Sequence, residues 1–291
     1  MAEQQSIVKD LAHVVVLLIL ILVLLVVVTK FKVVHPSAIP GWQGVYCTYV
    51  EQKHSVVGFV YGDDGAGDPE QLVETLSKNR PSLRTELVQM RDVSPGLLSR
   101  YEVIVLEKSK TVPFRALSAL EGYLDNGGSL VWTSDSLSKQ VLDDRDLEEA
   151  RQYNVSHPEW REQSGTGKDY YTWFLDTYQA PKGFAEFGDK FLGAFLKTQS
   201  ATSSSAMMSV MRDHLIISGI QTVAIPSGTT LGVVNQNDDV NMIASVEYGK
   251  ETFPAILEKK YVGRILYLAF PLEALNSKTF IDNIFDYLVT C

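Results

Sequence analysis

One run of apolar residues near the start of the chain constrains the protein more than any other feature. Leu11 to Val28 reads LAHVVVLLILILVLLVVV, in which His13 is the only polar side chain. A helix rises about 1.5 Å per residue, so this run would cross most of a ~30 Å hydrocarbon core. A buried soluble helix is seldom apolar on every face at this length, and the apolar part of a cleavable signal peptide is usually shorter. We therefore predict a single-pass membrane anchor within residues 1–34, which makes the bilayer a partner through residues 11–28.

The side of the membrane is weakly specified by charge. Lys9 and the N-terminal amine precede the apolar run, whereas Lys30 and Lys32 follow it, so the positive groups on the two sides balance. Because an apolar segment at the extreme N-terminus inserts readily as a signal anchor, we expect the rest of the chain outside the cytoplasm, at the cell membrane. The glycosylation pattern at Asn154 (Asn-Val-Ser) has meaning only on that side.

Composition excludes several classes of protein. The net charge of −9 argues against a nucleic-acid partner, because phosphate backbones require a basic surface. With two cysteines, Cys47 and Cys291, the chain has no disulfide scaffold and no four-cysteine zinc site. The five histidines lack ligand spacing, so we predict no metal and no cofactor. A disulfide between Cys47 and Cys291 and two free thiols both remain open.

Beyond a connector at residues 35–54, strands and helices alternate. Ser55–Tyr61, Tyr101–Leu106 and Ser129–Thr133 are predicted strands, and Tyr101–Leu106 is too continuously apolar for a one-sided sheet. This succession predicts an α/β domain over residues 55–291, flavodoxin-like and doubly wound, with a mostly parallel sheet between helices. Short strands follow near the C-terminus, and Lys278–Val289 is predicted as a closing helix. Residues 137–205 are predicted to be an insertion. Leu137–Gln152 is predicted as helical and the rest of the insertion as a long loop.

A glycine-rich loop follows the first predicted strand. It carries three carboxylates, Asp63, Asp64 and Asp68, at the end of the strand where ligands bind in such sheets. These acids would repel phosphate and could bind a divalent cation. The alternative is ordinary turn chemistry, with Asp68 capping the next helix. The spacing is not G-x-G-x-x-G, so a dinucleotide site is unsupported.

The order of these motifs resembles the class I glutamine-amidotransferase-like superfamily, in particular its trehalose-utilisation-type and membrane-anchored branches. The resemblance covers roughly residues 55–289. The motifs that carry it are Tyr101–Leu106 (YEVIVL), Leu120–Trp132 (LEGYLDNGGSLVW), His214–Ile220 (HLIISGI), Phe253–Ala255 (FPA) and Gly263–Leu268 (GRILYL).

The resemblance implies a nucleophilic cysteine on a tight turn after Ser129–Thr133, but the turn here contains Ser134 and Asp135. The family's His-Pro-Glu falls near Phe270–Glu273, with Phe270 in the histidine's place. A nucleophile needs a base within hydrogen-bond reach. We therefore interpret Ser134 and Asp135 as a degenerate elbow, with no catalytic residues, and expect a protein that is not an enzyme.

The insertion is rich in aromatic residues, which are the usual anchors of protein interfaces. Trp160, Tyr170, Tyr171 and Trp173 are the candidate interface residues; self-packing of a long loop is the alternative. The function predicted from the sequence is a membrane-anchored, non-catalytic scaffold, an accessory subunit that binds other membrane-protein subunits. The alternatives are a carbohydrate- or small-ligand-binding surface protein and a divergent hydrolase with Ser134 near His214.

Overall fold

The computed structural model describes residues 2–30, 34, 39, 41–51, 55–81, 83–178, 183–192, 199–201, 206–220, 222–225, 229–232, 239–275 and 277–289. The chain divides into two compact units, one comprising residues 1–54 with 289–291 and the other residues 55–288.

The first unit contains the apolar helix α1 (Ala2–Lys30). Within the described residues, one stretch, His13–Lys30, is long and apolar enough to cross a membrane, with a mean hydropathy of 3.0; a signal sequence near the N-terminus would have the same properties. Helix α2 (Trp42–Val45) and a π-helical turn (Tyr46–Glu51) follow. The indole of Trp42 donates a hydrogen bond to Thr29 Oγ1 at 3.0 Å, so the connector folds back onto the last turns of α1.

The second unit is an α/β domain. Its strands are, in chain order, β1 (Val56–Tyr61), β2 (Arg84–Gln89), β3 (Val103–Glu107), β4 (Thr111–Pro113), β5 (Ser129–Thr133), β6 (Lys139–Val141), β7 (Gln199–Ala201), β8 (Ala206–Val210), β9 (Thr222–Ile225), β10 (Thr230–Gly232), β11 (Val240–Tyr248), β12 (Glu251–Lys260) and β13 (Arg264–Leu268). Its helices are α3 (Pro69–Asn79), α4 (Pro95–Leu98), α5 (Phe114–Asp125), α6 (Asp144–Ser156), α7 (Trp160–Gln163), α8 (Tyr170–Tyr178), α9 (Gly183–Leu192) and α10 (Lys278–Leu288).

Within the described residues, nine strands form one sheet in the order β2-β1-β3-β5-β13-β12-β11-β8-β9. The strands from β2 to β13 pair in parallel, which confirms the mixed α/β class and the parallel centre predicted from the apolar runs. From β13 to β9 every pairing is antiparallel, so this half is built from hairpins and meanders. Strand β3 is buried along its whole length, as its continuous apolar sequence predicted, and β5 is buried in the same way.

The helices cover the sheet through amphipathic stripes. Leu72 and Leu76 of α3 are fully buried, and α10 buries Phe280, Ile284 and Phe285. Helix α3 begins at the N-cap Asp68, whose Oδ1 accepts a hydrogen bond from Gln71 N at 3.0 Å, with Pro69 in the first turn. This cap is the one predicted from the sequence.

The insertion differs from the prediction. Residues 139–141 form β6, which pairs in parallel with β4, where the sequence predicted a helix from Leu137 onward. Helix α6 starts at Asp144 because Asp143 and Asp146 form a capping box, in which each carboxylate accepts a hydrogen bond from the other residue's backbone N–H. The segment predicted as a long loop contains α7, α8 and α9.

Candidate functional site

The turn after β5 is the place where the resemblance implies a nucleophile. Ser134 has a φ of 49°, a left-handed conformation that is uncommon for a residue with a side chain. Its backbone N–H donates to Leu268 O at 2.7 Å, so the turn is tied to the end of β13. The strained backbone of an elbow is therefore present. Among the described residues, however, the buried Ser134 Oγ has no hydrogen-bond partner.

Glu107, the last residue of β3, was not predicted as a site residue, and it is fully buried beside this turn. Its Oε1 accepts a hydrogen bond from Leu272 N at 3.0 Å. The Thr133 hydroxyl lies 2.6 Å from Leu106 O and 2.8 Å from Glu107 Oε2. A hydroxyl donates one proton and a carbonyl oxygen only accepts, so a protonated Glu107 satisfies both contacts.

Electrostatics favour the same protonation state. Burial, together with the neighbouring Glu273, raises the pKa of Glu107 well above its usual range, against the opposing backbone hydrogen bond from Leu272. Glu273 Oε1 in turn accepts a hydrogen bond from Asp68 N at 2.7 Å. The two carboxyl groups thus connect β3, the segment after β13 and the start of α3.

The glycine-rich loop covers the carboxyl ends of β3 and β5, where Glu107, Ser134 and Asp135 lie; we call this region the closed edge. A Cβ at Gly67 would lie 2.7 Å from Glu107 Cγ, so a side chain at this position would collide with the buried carboxyl group. Ala66 N donates to Asp135 Oδ1 at 3.1 Å, and Lys110 Nζ lies 3.4 Å from Asp135 Oδ2. Asp135 therefore holds the loop in place rather than facing a cleft.

The three predicted loop carboxylates have different surroundings. Asp64 accepts hydrogen bonds from the backbone N–H and the hydroxyl of Thr111, at 2.9 and 2.7 Å. Although burial raises the pKa of the Asp64 carboxyl, these hydrogen bonds outweigh it and leave the pKa below its usual value. Asp68 caps α3, and Asp63 is exposed. In the part of the chain that the structure describes, no three His, Cys, Asp or Glu residues are grouped to hold a metal ion.

The remaining parts of the implied triad lie in packed surroundings. Phe270, in the place of the family's histidine, is fully buried and packs on Phe280 with ring centroids 6.1 Å apart. His214 Nδ1 accepts a hydrogen bond from Ile216 N at 3.3 Å, and its Nε2 lies 3.6 Å from Glu258 Oε2. Both ring nitrogens of His214 are therefore engaged by groups other than Ser134.

A cavity of about 350 Å³ lies at the carboxyl ends of β1 and β2. Its polar lining includes Tyr61, Asp63, Gln89, Arg91 and Thr111, over an apolar floor. Gln89 Nε2 donates to the Tyr61 hydroxyl at 3.3 Å. This cavity, beside the closed elbow, is large enough for a small polar molecule.

The aromatic residues of the insertion form a cluster of their own. Trp160, Tyr170 and Trp173 contact one another with ring centroids 5.1 to 5.6 Å apart, and all are partly exposed. Tyr171 stands apart, with the Arg151 guanidinium 5.3 Å from its ring centroid. The cluster therefore packs on itself and also presents surface to solvent.

Two further predicted residues concern processing. Asn154, in the glycosylation pattern, is partly exposed, and its Oδ1 accepts a hydrogen bond from Tyr171 N at 3.4 Å. Cys47 is disulfide-bonded. The chain's other cysteine, Cys291, lies outside the described residues.

No protein-family model matches the sequence, and a search of curated proteins finds no match. The fold is similar to that of a ThuA-like protein from Bacteroides uniformis ATCC 8492, with 15% identity, a TM-score of 0.55 and coverage of 83% of this chain and 94% of that one. A β-galactosidase from Bacillus circulans sp. alkalophilus matches with 13% identity and a TM-score of 0.50, over 80% of this chain and 31% of the enzyme. The mmIFT52 N-terminal domain matches with 12% identity and a TM-score of 0.50, over 81% of this chain and 98% of that domain. At these identities the likenesses define a glutamine-amidotransferase-like fold and nothing finer.

Proposed function

We propose that the chain is a membrane-anchored, non-catalytic member of the glutamine-amidotransferase-like superfamily that acts by binding a partner, as an accessory subunit of a membrane protein complex. The alternation of parallel strands and helices supports the finer description of its domain as flavodoxin-like and doubly wound. The observation that carries the proposal is the closed edge at Glu107, Ser134 and Asp135, all of which are buried.

Catalysis at this edge would require an activated nucleophile that substrate can reach. The Ser134 side chain is only 1% exposed, and the loop that covers it is fixed by Asp135. A hydroxyl without an adjacent base is a weak nucleophile at neutral pH. The strained turn is therefore interpreted as a structural remnant, as in a pseudoenzyme, and binding is assigned to the exterior of the domain.

Two observations support the membrane anchor and an extracytoplasmic domain. Side chains of α1 from Val14 to Leu24 are largely exposed, as expected for a helix surrounded by lipid. Disulfides persist in oxidising compartments and are rare in the cytosol, so the bonded Cys47 favours the outer side.

A second candidate function is binding of a small polar ligand, with a carbohydrate as the leading class. The cavity beside Tyr61 favours it, because ligands of open α/β sheets bind outside the carboxyl ends of the strands. An aromatic ring next to amide, carboxylate and guanidinium groups suits a polyhydroxylated molecule. Isothermal titration with a sugar panel, compared between the wild type and Gln89→Ala, tests this candidate.

The partner proposal is tested by chemical crosslinking in native membranes, followed by affinity purification of the full chain. We expect a defined partner that is lost with Trp173→Ala and retained with Val155→Ala, since Val155 is an 80% exposed apolar residue on α6. Wild-type chain that crosslinks to no protein above background would contradict the proposal. A hydrolase or transferase activity that disappears with Ser134→Ala would contradict its non-catalytic part.

The orientation is tested separately by adding protease to intact cells. We expect the domain to be cleaved from the outside, and non-reducing electrophoresis to show a mobility change on reduction that Cys47→Ser abolishes. Complete protection of the domain in intact cells would reverse the assignment.

A further inference from the structure

A cavity of about 430 Å³ lies among helices α4, α5, α6 and α8, and none of the residues predicted from the elbow contributes to it. The side chains that matter for its chemistry are Phe114, Ser118, Glu149, Tyr153, Tyr170 and Phe174. It is distinct from the cavity at the ends of β1 and β2.

One wall of this cavity is aromatic, and its rings contact further aromatic rings of the insertion. Tyr153 and Tyr170 lie 4.2 Å apart between ring centroids, and Tyr170 stacks on Phe174 at 5.9 Å. The rings of Trp160 and Trp173 support Tyr170 at 5.1 and 5.6 Å. Ring faces fixed in this way lose little conformational entropy when a ligand packs against them.

The charged side chains around the cavity differ in whether they have a hydrogen-bond or ion-pair partner. Arg115 Nη2 lies 3.0 Å from Asp143 Oδ2 and also donates to the backbone oxygen of Arg91. The buried Asp146 carboxylate accepts hydrogen bonds from Arg115 N and Asp143 N. Glu149 is exposed and has no ion-pair or hydrogen-bond partner among the described residues. The cavity therefore offers one uncompensated carboxylate beside an aromatic wall.

We infer that this cavity, defined by Glu149 and the Tyr153–Tyr170 wall, binds an arginine side chain of the partner protein. The inference rests on the proposed function and names the chemistry of that partner. A guanidinium is planar and weakly hydrated, so it stacks on tyrosine while its N–H groups pair with a carboxylate. An apolar anchor would leave the Glu149 charge without compensation, and an acidic side chain would be repelled.

The test uses the full chain in lipid nanodiscs, titrated with the peptide acetyl-Gly-Gly-Arg-Gly-Gly-amide and with the same peptide carrying citrulline, which has the shape of arginine without its charge. Intrinsic tryptophan fluorescence reports binding because Trp160 and Trp173 contact Tyr170. We expect saturable binding of the arginine peptide and about tenfold weaker binding of the citrulline peptide, since the cation–π and charge-assisted contacts are lost.

Glu149→Gln should weaken the arginine peptide about tenfold. Glu148→Gln is the matched control, since Glu148 lies next to it on α6 and pairs with Arg151 at 3.7 Å. Equal affinity for the two peptides, absence of saturable binding, or equal weakening by both variants overturns the inference. A native partner that is captured equally well by Glu149→Gln overturns the inference and leaves the proposed function standing; failure of the wild type to capture any partner overturns the proposed function itself.

Discussion

The closed edge of the parallel strands and the helical insertion use their polar and aromatic side chains in opposite ways. At the edge, Glu107 and Asp135 are buried and their hydrogen bonds go to neighbouring backbone and side chains. In the insertion, Tyr153 and Glu149 stay exposed beside a cavity. The difference is that the polar groups at the edge are engaged within the domain, whereas the insertion presents polar and aromatic side chains to solvent.

The largest expected effect comes from the edge. Glu107→Ala should lower the free energy of unfolding by about 3–5 kcal/mol, because it orphans the buried N–H of Leu272 and leaves a cavity. Thermal and denaturant unfolding of the full chain in detergent measure the loss. Glu107→Gln should cost no more than about 1 kcal/mol, since an amide replaces a neutral carboxyl group with similar shape. If glutamine costs as much as alanine, a charged Glu107 is required and the edge is not an inert support.

The second effect is a pH dependence of stability, in which the two buried glutamates, Glu258 and Glu107, act with opposite signs. Burial raises the pKa of Glu258, but hydrogen bonds from His214 and Tyr287 outweigh it and lower the pKa to about 2, from an ordinary value of 4.5. Its stabilisation, of the order of 3 kcal/mol, is present above pH 4.5 and is lost as the pH falls toward 2. Denaturant unfolding measured between pH 4.5 and pH 2 gives this loss of unfolding free energy. The loss should be smaller in Glu258→Gln than in the wild type.

Glu107 should act with the opposite sign. Because its pKa is raised, its contribution to stability is present at low pH and declines as the pH rises above the ordinary glutamate range. Glu107→Gln should remove this decline. It should leave unchanged the loss of stability below pH 4.5 that we assign to Glu258. If Glu107→Gln shifts the pH at which stability is lost on acidification, the two glutamates are coupled.

Truncating an aromatic residue of the insertion should affect partner binding more than stability. Trp173→Ala should cost about 2 kcal/mol of stability, less than the usual cost for a core aromatic, because the ring is partly exposed. Partner capture should fall by about tenfold or more, as for an interface hot spot. Circular dichroism and crosslinking yield separate the two losses. A purely structural role would reduce capture only in proportion to the unfolded fraction.

The smallest effect is expected at the elbow itself. Ser134→Gly should stabilise the domain by about 0.5 kcal/mol, because glycine tolerates the positive φ while losing more entropy on folding. Ser134→Val should destabilise, since a β-branched residue resists this conformation. Differential scanning calorimetry resolves both shifts, and partner capture should be unchanged in Ser134→Gly.

Strands whose apolar runs are continuous were predictable from the sequence. Ser129–Thr133 has the predicted bounds, and Ser55–Tyr61 differs from β1 by one residue. Such runs bury both faces of a strand, so local pattern and tertiary position agree. The insertion was not predictable in the same way, because a capping box at Asp143 and aromatic packing, rather than periodicity, set its helices.

The buried contact of Glu107 with Glu273 could not be predicted from the sequence. The signal was an acid at the end of the apolar run YEVIVL, which requires a buried partner or a proton. Its partner, Glu273, lies far along the chain, and the sequence alone does not bring the two together. Ser134, by contrast, was placed correctly on a turn after β5, because the turn residues adjoin a well-defined strand.

The position of β13 within the sheet has a consequence for biosynthesis. This strand lies between β5 and β12 and joins the parallel half to the antiparallel half, yet it is the last strand of the sheet to leave the ribosome. Until it emerges, β5 and β12 each expose an unpaired backbone edge, the kind of surface that promotes aggregation. The parallel and antiparallel halves of the sheet can therefore be joined only after residues 264–268 have been synthesised, long after the apolar N-terminal helix.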